Sequence, residues 1–161
     1  MAEEDQQVRH LADERAGPDG HIPDDLAREW TRVDETNTAR LAEIVAAHGW
    51  PTPSLVGDDG ANAAWLLAQH ADRDPGLQQR FLDLVRAAVA VGEASPVDLA
   101  YLTDRAAMHA GQPQAYGTQL CRDPGGRLTA YRIADPDTVD QRRAALGLCP
   151  VADYIATAER R

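Results

Sequence analysis

The segment WLLAQHAD sets His70 four residues after Leu66 and Gln69 four after Trp65. On a helix the imidazole then shares a face with a leucine, and the carboxamide shares one with a tryptophan. That spacing turns His70 toward the interior or a cleft wall. There a histidine is either a satisfied structural group or a general acid or base, since its ordinary pKa of ~6.5 suits proton transfer near neutral pH. A second stripe runs through DLAYLTDRAAMHA, where Asp98, Leu102, Arg105 and His109 recur at steps of four, three and four. On a solvated face, Arg105 beside Asp98 or Asp104 forms an ion pair worth at most ~1 kcal/mol. If buried, its planar fork requires an anion such as a substrate carboxylate or phosphate. Directly after this stripe comes QPQAYGTQ, three glutamines, a tyrosine and a threonine around Gly117, with no charge. Buried amides and hydroxyls must be matched, so these groups either satisfy one another or hold a polar ligand. Gly117 permits positive φ or close approach of the backbone.

One set of roles follows. His70 acts as general base or acid, and Asp104 or Asp72 orients an imidazole. Tyr116, with Gln114 or Gln119, stabilises an oxyanion or donates a proton, and Arg105 anchors an acidic substrate group. Gln69, Trp65 and Thr118 complete the substrate-binding set.

Other chemistries lack their residues. The only serines, Ser54 and Ser95, lie outside any GxSxG elbow. Neither GxGxxG nor GxxxxGK[ST] occurs, and the absence of lysine removes a P-loop lysine or a Schiff base. No cofactor is expected. A 2-His-1-carboxylate metal site from His70, His109 and Asp104 is conceivable, but no spacing demands it, so no metal is assigned. Cys121 and Cys149 are far apart and expected as buried, reduced thiols. With 16 basic residues, all arginine, against 26 acidic ones, the net charge of −10 argues against a phosphate-backbone partner. No apolar h-region opens the chain and no apolar run reaches ~18 residues, so a membrane partner is not expected and the cytoplasm is the expected location.

The elements that must position these groups are mainly helices. At 161 residues and 43% hydrophobic, the chain suits one domain, expected over 23–161 behind a polar, frayed or briefly helical segment 1–22 that contains the turn Gly17-Pro18-Asp19-Gly20. Leu26, Trp30, Val33, Leu41, Ile44 and Val45 mark a long helix ending at Gly49, bent around Thr36-Asn37-Thr38. The punctuated stretch 49–60 reads as an ordered loop returning Trp50 to the protein body, with Asp58 or Asp59 capping a helix through ANAAWLLAQHA. Asp74-Pro75, Ser95-Pro96 and Asp135-Pro136 are further helix starts, and a last short helix follows Pro150. Between them QAYGTQLC and RLTAYRI, separated by DPGG, fit a hairpin. The expected fold is mostly α, a single-domain bundle of about five helices with one small β-hairpin near 114–133.

WLLAQHADRDPGLQ, AYLTDR, GQPQAYGTQ and DPDTVDQRRAALGLCPVADY, in this order and spacing, resemble a bacterial family of domains of unknown function over roughly residues 40–155. The resemblance implies that Gln69, His70, Asp72, Asp104, Arg105, Gln114, Tyr116, Thr118 and Gln119 match its signature positions, and it implies no reaction. The residues themselves point to cofactor-free acid/base chemistry on a small polar or acidic metabolite (hydrolysis, elimination, isomerisation or cyclisation), with specialised metabolism as one setting. The alternatives are a non-catalytic ligand-binding or protein-interaction module, and a metal-dependent hydrolase using His70 and His109. Oligomeric state is not legible.

Overall fold

A computed structural model describes residues 1–17 and 21–160. The chain divides into two compact units, Met1–Phe81 and Leu82–Arg161, where the sequence reading takes 23–161 together. Seven helices and one two-stranded sheet are present among the described residues, against about five helices expected. The polar N-terminal helix is one addition, while the two short C-terminal helices lie near Asp135-Pro136 and after Pro150, where the sequence signals helix starts.

The first unit opens with α1, Ala2–Arg15, whose first turn carries Glu3, Glu4 and Asp5 at the positive end of the helix dipole. It buries Asp5, Val8 and Ala12 at steps of three and four, so a helix docks where a polar, frayed segment was one expectation. The expected turn at 17–20 lies largely outside the described residues. Next, α2 spans Asp24–His48 and buries Leu26, Val33, Asp34, Asn37, Thr38 and Leu41. It continues through Thr36-Asn37-Thr38, because Asn37 and Thr38 fall on its buried stripe. It closes at Gly49, whose N–H reaches the Val45 carbonyl at 2.9 Å. Trp50 returns to the interior, its ring 6.2 Å from that of Phe81.

The stretch expected as a loop up to residue 60 is already helical. The third helix, α3, spans Pro53–Gln69 with a break at Gly57, where φ is 76° and ψ 169°. Leu55 and Val56 bond back to the Thr52 carbonyl, so the chain makes one helical turn, breaks at the glycine and resumes. Asp58 and Asp59 therefore lie inside α3 instead of capping a helix at Ala61. The next start matches its signal: the Leu77 N–H donates to Asp74 Oδ1 at 2.9 Å, and α4 spans Pro75–Ala90. An apolar cluster of Val8, Ala12, Leu26 and Val33, backed by Ile22 and Trp30, joins α1 to α2.

In the second unit Ser95 caps α5, Pro96–His109, by accepting from the Val97 and Asp98 N–H groups. Strands β1, Leu120–Arg122, and β2, Leu128–Ala130, form the antiparallel hairpin with Cys121 opposite Thr129. Asp123 Oδ1 holds the turn by accepting from the Gly125 and Arg127 N–H groups. α6 covers only Val139–Ala145. The Asp135 carboxylate accepts from the Thr138 hydroxyl instead of capping a helix at its own position, and that delays the start. Finally α7, Val151–Ala158, follows Pro150 and packs against β2. The Tyr154 ring stands edge-on to Tyr101 at 6.4 Å. Both cysteines are free, but Cys149 is exposed where a buried thiol was expected, because it sits in the connection leading into α7.

Candidate functional site

His70 ends α3, where its own N–H donates back to the Leu66 and Leu67 carbonyls. The chain then folds sharply through Ala71-Asp72 into α4. Gln78, buried in the first turns of α4, locks that fold: its Nε2 donates to the Gln69 carbonyl at 3.1 Å and to Asp72 Oδ1 at 2.9 Å. A neutral amide thus satisfies carbonyls that the helix end would leave orphaned. Asp72 is spent on this lock.

The fixed imidazole meets α1. His70 Nδ1 lies 2.9 Å from both carboxylate oxygens of Asp5, whose side chain is 0% exposed, while the His70 side chain retains 12% exposure. Burial alone would raise the Asp5 carboxyl. The hydrogen bond and charge of His70, followed by Gln6 and Arg9, outweigh it and hold the group below the ordinary carboxyl range. An ionised carboxylate only accepts, so Nδ1 carries the proton and Nε2 is left to exchange one. Arg9 extends the cluster, with Nε 3.3 Å from Asp5, Nη2 2.7 Å from Asp34 Oδ1, and its guanidinium 4.7 Å from the Trp30 ring centre. Asp34 moves the opposite way: burial pushes its carboxyl up, against the charges of Arg9 and His70. The two aspartates of this cluster are thereby shifted in opposite directions. A cleft of about 280 Å³ in the same unit, lined by Glu35, Thr38, Ala39, Arg73, Asp74 and Leu77, does not include His70.

Of the other expected site residues, Gln69 and Trp65 lie in this unit. Gln69 is buried, and its Nε2 has no hydrogen-bond partner among the described residues. Trp65 is half-buried.

Asp104, Arg105, Gln114, Tyr116, Thr118 and Gln119 lie in the second unit, and there QPQAYGTQ forms a closed network. The buried Asp104 accepts from the N–H groups of Ala115, Tyr116 and Thr118 and from Thr118 Oγ1, at 2.7–3.1 Å. Gln114 Nε2 donates to the Gln119 and Tyr131 carbonyls while its Oε1 accepts from the Gln119 N–H. Gln119 Nε2 donates to Thr118 Oγ1. The outward carbonyls of the same loop accept from two guanidiniums, Ala115 from Arg142 and Tyr116 from the buried Arg143, whose plane lies 5.1 Å from the Tyr154 ring centre. A carboxylate holds the loop's donors and arginines hold its acceptors. Arg105 is half-buried and His109 exposed. No group of three or more His, Cys, Asp or Glu side chains that could hold a metal ion occurs among the described residues.

The sequence profile of a family described only as being of unknown function, DUF6624, matches residues 1–160. The chain belongs to the DUF6624 family. Comparison with curated proteins and with solved structures finds no match. The DUF6624 match takes in the first 40 residues, outside the resemblance noted in the sequence, so Asp5, Arg9 and Asp34 fall within the family region together with His70. Sequence reasoning missed these three. One signal was available: Trp30, Asp34, Asn37 and Leu41 step along α2 at four, three and four, which places a carboxylate on the same face as a tryptophan and a leucine. Asp5 carries no comparable mark, since α1 lacks a clean apolar face to reveal it.

Proposed function

We propose that this DUF6624 protein is an enzyme performing cofactor-free general acid/base chemistry on a small polar or acidic metabolite, with His70 as the proton-transferring group. The observation that supports the reading is the contact of His70 Nδ1 with both oxygens of the wholly buried Asp5. It gives the imidazole a fixed tautomer and orientation, with Nε2 as the working nitrogen. Asp5, not Asp72 or Asp104, is the positioning carboxylate in this reading. Asp34, its carboxyl pushed up by burial, is the second carboxyl of the cluster and pairs with Arg9. Gln69 Nε2 is the donor reserved for a substrate oxygen, because a buried amide N–H without an acceptor costs free energy that a ligand carbonyl or carboxylate would recover. Asp104, Gln114, Thr118 and Gln119 hold the loop around Tyr116, and the reading assigns neither Tyr116 nor Arg105 a part in the chemistry. Hydrolysis, elimination, isomerisation and ring closure all remain compatible with a single positioned base.

The test is a conversion screen of small carboxylates, amides and lactones followed by NMR, run on the wild type and on His70→Gln. Loss of about 100- to 10,000-fold in rate is expected for the variant, the usual contribution of a positioned base, in protein whose circular dichroism shows it folded at the assay temperature even where its melting temperature falls. Wild-type turnover by His70→Gln ends the assignment.

A further inference from the structure

The dyad is assembled from two ends of the first unit, since Asp5 rides on α1 and His70 ends α3, 65 residues later. What seats α1 is mostly polar. Its only buried apolar side chains are Val8 and Ala12, while Leu11 and Met1 are left 45% and 43% exposed. By contrast α2 buries Leu26, Val33 and Leu41. A 14-residue helix is marginal in water without tertiary support, and one valine with one alanine is a small apolar anchor for it. The rest of the seat is ionic: Asp5 on His70, Arg9 on Asp34 of α2, and the Arg9 guanidinium over Trp30. The charged groups that interact with the imidazole are Asp5 of α1 and Asp34 of α2, and Arg9 of α1 bridges the two.

We propose that α1 is a docking strap that gates the His70 site: it releases as a unit of its own before the first unit unfolds, and the proton-transfer geometry exists only while it is seated. The inference rests on the acid/base reading of His70 and adds its regulation. Elements with few buried apolar contacts open at the low end of a protein's stability range. Here a helix with only two buried apolar side chains supplies the carboxylate that fixes the imidazole tautomer. Conditions that favour release, such as competition for Arg9 or loss of the Asp5 charge, switch the site off while α2 and α3 persist.

Native-state hydrogen exchange on the full chain, with ¹⁵N NMR of the His70 ring, tests this. Amides of α1 at Val8 to Ala12 are expected to exchange about tenfold or more faster than the slowest amides of α2, a separation equivalent to a distinct opening step. Val8→Ala is expected to widen that gap and to weaken the Nδ1–H signal of His70 in parallel, whereas Leu11→Ala leaves both unchanged. Equal exchange in α1 and α2, or acceleration of both by Val8→Ala, overturns the strap. So does an Nδ1–H signal that survives α1 opening. None of these readouts uses turnover, so a failed strap appears only here, and a failed acid/base assignment only in the His70→Gln assay.

Discussion

An ionised aspartate with no exposed side-chain surface costs the fold free energy unless its oxygens are engaged. Asp5 meets that demand through His70, Gln6 and Arg9. Asp5→Ala leaves His70 and Arg9 without their shared acceptor and is expected to cost about 3–5 kcal/mol, the usual penalty for breaking a buried charged pair, read from urea denaturation. The two aspartates respond to pH in opposite directions. Asp5 has a depressed folded-state pKa, so its contribution is fully present above ~pH 4 and disappears as pH falls through that lower value. Asp34 has a raised one, so the folded state holds its proton longer than the unfolded chain, and stability falls as pH rises from ~4 through the raised value. Urea melts between pH 2 and 7 should show Asp5→Asn with a flattened acid limb, and Asp34→Asn without the decline above ~pH 4. Profiles parallel to wild type in both variants would contradict the opposed shifts.

At the scale of elements, the second unit depends on one loop being held from both sides. Gly117 sits in that loop at φ 67°, and a Cβ there would lie 3.0 Å from Val151 Cγ2 and 3.2 Å from Ile133 Cδ1. Left-handed backbone strain of ~1–2 kcal/mol then adds to crowding from two half-buried side chains. Gly117→Ala is expected to destabilise by about 2–4 kcal/mol. Asp104→Asn replaces one of the two acceptor oxygens with an amide donor facing backbone N–H groups, and an expected loss of about 3 kcal/mol follows from the charged hydrogen bonds removed. Thermal melts of both variants check these values; an Asp104→Asn protein that melts like wild type would show that the loop does not need its carboxylate.

For the whole molecule the governing quantity is charge. A net −10 at 161 residues works against compaction, and exposed pairs such as Arg40–Glu43 and Arg86–Asp83 return little. Salt screens the long-range repulsion but reaches the two buried clusters weakly. Raising NaCl from about 10 to 150 mM, which shortens the Debye length to ~8 Å, is therefore expected to raise the melting temperature. A fall on adding salt would mean that exposed ion pairs outweigh the net repulsion. No helix among the described residues is long and apolar enough to cross a membrane.

How much of this was legible differs by element. Helix starts at Asp74 and Ser95, the hairpin and its Asp123 turn, and the return of Trp50 are set by local chemistry, the capping carboxylate or hydroxyl, the proline at the first helical position and the Pro-Gly-Gly turn, and these could be read directly. The helical turn before Gly57 and the late start of α6 could not, because each depends on where a neighbouring backbone or side chain lies after folding. The candidate site divides the same way. Helical spacing alone turns His70 inward, and the composition of QPQAYGTQ alone requires its amides to be matched. That His70 meets Asp5, and that Asp104 meets four donors from its own downstream loop, required tertiary structure. A carboxylate finds its partner by position in space across tens of residues, and no local periodicity records that distance.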